Sequence, residues 1–290
     1  MNRTCQIGPI TIGAGLPLAI IAGPCTLESF DLAVEVGTRL RDRCAALRLP
    51  FVFKASFDKA NRSSVTSARG PGLADGLTTL ARVHEQLGVP ITTDLHDATQ
   101  AGAVAEVVDM LQIPAFLCRQ TDLLVAAGTA AKAHGRAVNV KKGQFLSPGE
   151  MGGPVRKLAQ VGCENVLLTE RGTFFGYHRL VNDFIGLGDL MELDTSAFTN
   201  SGSPPVCFDV THSTQLPGSG EQTGGRPDRA GLLARAAAAT GVHALFIEAH
   251  PEPDKALSDG ATQLTIEAAE RVLGEVAAIH SVPESNGDSG

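Results

Sequence analysis

The stretch LAIIAGPCTLESFDLAVEVGTRLRDRCAALRLPFVFKAS (18–56) holds two short apolar runs, LAIIAG (18–23) and FVFKAS (51–56), joined by a segment of different periodicity. Short β-branched or apolar runs ending at turn residues are the pattern of buried strands. The joining segment SFDLAVEVGTRLRDRCAALR (29–48) places apolar residues at i, i+3 and i+4 and has no proline, so it predicts an amphipathic crossover helix. Strand, helix and strand in that order give a parallel pair. Six further runs follow with helical stretches among them: ITTD (91–94), MLQIP (110–114), AVNVK (137–141), NVLLTE (165–170), VCFDV (206–210) and ALFIEA (244–249). Eight such units predict an α/β protein built as a single closed (β/α)8 (TIM) barrel, because doubly wound sheets more often stop at about five to seven strands.

Working outward, CQIGPITIGAGLP (5–17) reads as a short β-hairpin with Gly8-Pro9 at its turn, placed to cover the N-terminal mouth of the barrel. Two loops are rich in Gly and Pro, 215–227 after the seventh run and 251–260 after the eighth, and both are lid candidates. Residues 1–280 form one predicted domain. The last ten, SVPESNGDSG (281–290), lack periodicity and are expected to be a disordered tail.

A chain of 290 residues suits one such barrel, and 43% apolar with 19% charged residues is a globular composition. The formal charge of -7 argues against nucleic acid and anionic membranes as partners, since both need excess Lys and Arg. An anionic ligand must therefore meet locally clustered cations. Six scattered cysteines without a C-x-x-C pair, and no cationic leader ahead of a long apolar core, fit a reducing cytoplasm. The apolar residues 16–23 are too few for a span and contain Pro17.

Barrel enzymes draw their sites from residues at the C-terminal ends of the strands. In this chain those positions are polar throughout: Cys25; Lys54, Lys59, Asn61, Arg62 and Ser63; Asp94 and His96; Gln112 and Arg119; Lys141; Glu170 and Arg171; Asp209 and His212; Glu248, His250 and Asp259. Six of the 24 basic residues (Lys54, Lys59, Arg62, Arg119, Lys141, Arg171) gather on this face of an acidic protein, which calls for an anionic ligand. Asn61, Arg62 and Ser63 supply a guanidinium fork, polar side chains and backbone N–H groups within one turn, as a phosphate requires. The competing reading pairs these cations with carboxylates such as Asp58, Asp94, Asp122 and Glu170.

Barrel closure makes the seventh, eighth and first runs neighbours, so Cys25, His212, Glu248 and Asp259 converge. One thiolate, one imidazole and two carboxylates suit a divalent metal such as Zn, Fe, Mn or Co. Taken singly, Cys25 also fits a small buried apolar position, and His212 and Glu248 fit satisfied core polar groups.

At these residues the sequence resembles the 3-deoxy-D-manno-octulosonate 8-phosphate synthases, also called 2-dehydro-3-deoxyphosphooctonate aldolases, over roughly residues 17–264. The resemblance rests on KASFDKANRSS (54–64), RGPG (69–72), QIPAFLCRQTDLL (112–124), NVKKGQF (139–145), FDVTHS (208–213) and IEAHPEP (247–253). It implies condensation of phosphoenolpyruvate, water and D-arabinose 5-phosphate, feeding lipopolysaccharide synthesis. Lys54, Lys59, Gln112, Lys141 and Arg171 are then the phosphoenolpyruvate contacts, Asn61, Arg62 and Ser63 the aldose-phosphate clamp, and Cys25, His212, Glu248 and Asp259 the metal ligands. Asp94 hydrogen-bonds near the reacting centre and orients a lysine. The family is tetrameric, which implies that Arg119 reaches the aldose phosphate of a neighbouring subunit. A metal-independent branch carries Asn in place of Cys25 and K-P-Q-F in place of KKGQF, so this chain resembles the metal-dependent branch. The sister heptulosonate synthases, which use erythrose 4-phosphate, carry a K-P-R-T-type string where this chain has KANRSS. A non-catalytic sugar-phosphate sensor on the same barrel is a third reading; it would keep the clamp and could lose metal ligands.

Overall fold

A computed structural model of the chain describes residues 3–60, 69–200, 202–218 and 224–280. Eight parallel strands form the barrel of one sheet, β1 (Ala19–Gly23), β2 (Phe51–Lys54), β3 (Ile91–Asp94), β4 (Met110–Ile113), β5 (Ala137–Lys141), β6 (Val166–Glu170), β7 (Val206–Asp209) and β8 (Ala244–His250), and the short strand Leu264–Thr265 adds parallel to the end of β8. Each pairs with the next, and β8 pairs with both β7 and β1, which closes the barrel as expected. The strands lie within a residue or two of the apolar runs.

Eight helices follow the strands in turn: α1 (Phe30–Ala46), α2 (Leu73–Leu87), α3 (Ala101–Val107), α4 (Thr121–His134), α5 (Gly152–Gln160), α6 (Phe184–Met191), α7 (Ala230–Ala239) and α8 (Ile266–His280). The ends of α1 show the local logic. The Ser29 side chain accepts from the Leu32 N–H, Asp31 sits in the first turn and Arg43 in the last, matching cap and dipole. Ala33, Val36, Leu40 and Cys44 form its buried stripe. Gly88, at φ 65°, ends α2 in the left-handed conformation that costs glycine little.

Side chains alternate across a strand, so each barrel strand contributes to two cores. Ile20, Phe53, Leu111, Val138, Leu168, Phe208 and Ile247 point outward and pack against the helical stripes. Ile21, Val52, Met110, Ala137, Leu167, Cys207 and Phe246 point into the barrel and pack against Cys5, Ile7 and Ile12. Those three belong to the predicted hairpin, whose strands Cys5–Ile7 and Ile10–Ile12 pair antiparallel about Gly8 at φ 53°. The hairpin thus plugs the N-terminal mouth. The ten residues expected as a tail, 281–290, lie outside the described residues.

Two residues farther along six of the strands the same inward face becomes polar. Val52 gives way to Lys54, Met110 to Gln112, Ala137 to Asn139 and then Lys141, Leu167 to Thr169, Cys207 to Asp209, and Phe246 to Glu248. The period of two that builds the apolar plug therefore also delivers the polar groups to the C-terminal mouth.

Candidate active site

The C-terminal mouth opens into a cavity of about 970 Å³ whose walls include Lys59, Asp94, His96, Lys141, Gln144, Arg171, His212, Glu248 and Asp259. Both Gly- and Pro-rich loops reach it. Gln215–Leu216 pairs antiparallel with Gly224–Gly225, making the base of the 215–227 loop a small hairpin, and Gln215, Pro217 and Gly218 face the cavity. Residues 219–223 lie outside the described residues. The 251–260 loop contributes Pro253, Asp254, Ala256, Leu257 and Ser258 to the wall beside Asp259.

Three of the four expected metal ligands converge. One donor atom each from Cys25, Glu248 and Asp259 lies within 4.8 Å of the other two. Gly23 sets the turn that presents Cys25, because a Cβ there would fall 2.0 Å from the Lys54 carbonyl oxygen. Gln263 then locks both loops: its Oε1 accepts from the Cys25 N–H at 3.1 Å, and its Nε2 donates to the Ser258 carbonyl at 2.9 Å. Asp259 adopts φ 51°, a backbone conformation a non-glycine residue rarely takes, and its Oδ2 accepts from the Cys25 thiol at 3.1 Å. Burial, with Asp259 and Glu248 nearby, pushes the Cys25 thiol well above its ordinary range.

His212 stands beside this trio. Its Nε2 lies 3.6 Å from Glu248 Oε2, and its Nδ1 donates to Asp209 Oδ2 at 2.8 Å, which leaves Nε2 as the nitrogen facing the trio. Glu248 Oε2 is buried with no hydrogen-bond partner among the described residues. A soft thiol, two carboxylates, an adjacent imidazole and an orphaned buried oxygen fit a divalent cation.

Buried lysines bind these carboxylates from the other side. Lys54 Nζ lies 2.5 Å from Glu248 Oε1 and donates to the Cys25 carbonyl at 2.8 Å. Lys141 Nζ lies 2.7 Å from Asp209 Oδ2 and 3.6 Å from the centre of the Phe246 ring. Burial alone would raise Glu248, but Lys54, His212 and Lys59 outweigh it and hold the carboxyl down to about 2. Asp209 is likewise held far below its usual range, its burial overcome by His212 and Lys141. The cations are thus partly paired, with buried carboxylates of the strands and their ends rather than with the loop acids Asp58 and Asp122. Asp58 pairs with Arg69 instead, and Glu170 lies 3.5 Å from Lys142.

Lys59 Nζ donates to Ser56 Oγ at 3.1 Å, and Ser56 donates to Asp94. Burial would lower Lys59, but Cys25, Glu248, Asp94 and Asp259 together raise it. Asp94 is held far below its usual range because Lys54, Lys59 and His96 overcome its burial. Arg171 Nη2 donates to Gln215 Oε1, while its buried Nη1 has no hydrogen-bond partner among the described residues. Gln144 Oε1 on the same wall is likewise buried and unpartnered.

Some expected contacts sit elsewhere. Lys54 and Gln112 are fully buried and absent from the described wall of the cavity. Arg119 is exposed and also absent from that described wall, and its carbonyl accepts from Lys157 Nζ at 2.8 Å. Asn61, Arg62 and Ser63 lie outside the described residues. Sequence reading passed over Ser56, Asn139, Thr169, Gln144 and Gln263. For Asn139 and Thr169 a signal existed: each lies two residues before a cation at a strand end, on the same face.

A closed barrel with a cation-lined mouth beside a thiol and carboxylate cluster defines the class as enzymes acting on anionic substrates at such a mouth. The model of the DAHP synthetase I family matches residues 3–281. The chain belongs to that family, among its 2-dehydro-3-deoxyphosphooctonate aldolases. A protein of that name from Cyanothece sp. is 50% identical over 278 residues, covering 95% of this chain and 97% of the relative. One from Syntrophotalea carbinolica is 47% identical over the full length of both chains, and one from Synechococcus sp. is 51% identical over 91% of this chain and 88% of its own.

Proposed function

We propose that this enzyme, a transferase, condenses phosphoenolpyruvate with D-arabinose 5-phosphate and water to give 3-deoxy-D-manno-octulosonate 8-phosphate and inorganic phosphate, a step in lipopolysaccharide biosynthesis. The observation that carries the reading is one cavity whose wall holds Lys59, Lys141 and Arg171 together with Glu248 and Asp259 of the Cys25, Glu248 and Asp259 cluster, in a chain whose near relatives bear the aldolase name. The two substrates bring about five negative charges, which need clustered cations in a site shielded from water.

Lys59, Lys141 and Arg171 bind the phosphate and carboxylate of phosphoenolpyruvate, and the unpartnered Arg171 Nη1 is a ready donor. Asn61, Arg62 and Ser63 clamp the aldose phosphate, and Arg119 reaches toward that of a neighbouring subunit in a homotetramer. Carbon 3 of the enol phosphate attacks the aldehyde carbon, water adds at carbon 2, and phosphate leaves by cleavage of the carbon–oxygen bond. Of the two protons of the water, one balances that gained by the aldehyde oxygen, and the other leaves with the phosphate as carbon 2 becomes a ketone. Lys54 and Gln112 act from beneath the wall, Lys54 by holding Glu248 and Gln112 by holding Asp94. Cys25, His212, Glu248 and Asp259 would hold a divalent metal (Zn, Fe, Mn or Co), which supplies Lewis acidity toward an aldehyde or water oxygen.

No helix among the described residues is long and apolar enough to cross a membrane, and all six cysteines are buried free thiols, which supports a cytoplasmic enzyme. The heptulosonate synthase reading is disfavoured by the names of the relatives. An assay of phosphate release offering arabinose 5-phosphate and erythrose 4-phosphate separately tests the choice. Turnover with arabinose 5-phosphate is expected; formation of the seven-carbon product alone would overturn it.

A further inference from the structure

Beneath the anion-binding wall runs a line of hydrogen bonds that the residues assigned above do not explain. Thr169 Oγ1 donates to Asn139 Oδ1 at 2.7 Å, Asn139 Nδ2 to Gln112 Oε1 at 2.9 Å, and Gln112 Nε2 to Asp94 Oδ1 at 2.6 Å. The second oxygen of Asp94 accepts from Ser56 Oγ, which itself accepts from Lys59 Nζ at 3.1 Å. The line crosses β6, β5, β4 and β3 and ends just beyond β2. Its members are buried except Lys59, which is half-buried, and of the line Asp94 and Lys59 form part of the described cavity wall.

Chemistry fixes the direction of this line. An ionised carboxylate only accepts, so Gln112 must turn its NH2 toward Asp94. Its carbonyl then faces Asn139, which must present its own NH2. The Asn139 carbonyl is left facing β6, where it needs a donor. Thr169 supplies that donor, and a β-branched residue without a hydroxyl would not. Remove the hydroxyl and the buried Asn139 carbonyl is left without its donor, so only Gln112 still holds the amide in its orientation; reversing it would set two carbonyl oxygens against each other at Gln112.

We propose that Thr169 and Asn139 are positioning residues for phosphoenolpyruvate. They reinforce from the far end the amide direction that Asp94 imposes on Gln112, Gln112 in turn holds one oxygen of Asp94, and Asp94 through Ser56 fixes Lys59 at the cavity wall. The proposal rests on the reading of the site as a phosphoenolpyruvate synthase. It differs from a satisfied polar core in what it predicts: a loss confined to one substrate.

The test measures phosphoenolpyruvate binding by calorimetry, and both KM values, on the metal-loaded full-length enzyme. Thr169→Val keeps the shape and removes the donor, and it should weaken phosphoenolpyruvate binding about tenfold, the effect of one buried acceptor left unpaired. The KM for arabinose 5-phosphate should stay put, and Thr169→Ser should restore binding. Ser56→Ala, which cuts the line at its other end, should reproduce the phosphoenolpyruvate defect even if Thr169→Val folds poorly. Wild-type binding in both Thr169→Val and Ser56→Ala would overturn the proposal, as would equal loss for both substrates or failure of Thr169→Ser to rescue a folded Thr169→Val. If the wild type binds phosphoenolpyruvate but releases no phosphate with arabinose 5-phosphate, the functional reading fails while the binding comparison still decides this inference.

Discussion

Lys54 Nζ meets Glu248 Oε1 at 2.5 Å, with both side chains 1% exposed, so the cation cluster and the thiol–carboxylate cluster share one buried ion pair. A charge taken this far from water is tolerated because each partner has further polar contacts: Lys54 donates to the Cys25 carbonyl, and Glu248 faces His212.

Lys54→Met strands the Glu248 carboxylate. Removing one partner of a buried pair costs about 3–5 kcal/mol, so urea unfolding should show a loss of that order, accompanied by loss of turnover. A variant as stable as the wild type would mean that water or a rearranged His212 neutralises Glu248.

A chelator is expected to abolish phosphate release while leaving the far-ultraviolet circular dichroism unchanged, because the barrel core is built from apolar contacts that do not involve the ligands. Cys25→Ala should stay inactive when metal is restored. Cys25→Asn should retain some turnover without metal, as the residue found in the metal-independent branch. Full activity of the metal-free wild type would sink this assignment.

Asp94 binds its proton less readily in the fold than in the unfolded chain, because Lys54, Lys59 and His96 overcome its burial. The stability it contributes is therefore present above about pH 4 and is lost as pH falls below that toward the depressed folded value. Unfolding free energy measured from pH 7 to pH 3 should drop steeply below about pH 4 in the wild type. In Asp94→Asn the curve should be lower at pH 7 and flatter below pH 4; an identical slope would assign the acid sensitivity to other carboxylates.

Ile7 and Ile12 plug the barrel at the end opposite the cavity, and both are fully buried. Ile12→Ala should cost roughly 2–5 kcal/mol of stability by cavity formation. Because the apolar layer separates the hairpin from the mouth, KM and kcat should remain within about twofold of wild type at temperatures where the variant is folded. A selective rise in one KM would instead show that the plug sets the register of the inward-facing layer.

What the sequence by itself determined is the barrel and the composition of its mouth. Alternation of runs such as ITTD (91–94) and AVNVK (137–141) with helical stretches is a local signal, since each strand and helix is specified by the spacing of its own apolar residues. Gly8-Pro9 marked the hairpin for the same reason, and Cys25, Glu248 and Asp259 were legible as strand-end polar residues that closure would bring together. Only the tertiary structure decided how those residues are wired. Lys54 and Glu248 are 194 positions apart, and Lys141 and Asp209 are 68 apart; which cation takes which carboxylate depends on barrel register and on which groups share a layer. The same holds for the line from Thr169 to Asp94. Asp94 and Gln112 were legible as strand-end polar residues, but the line acquires a direction only when four neighbouring strands place a carboxylate, an amide, a second amide and a hydroxyl side by side.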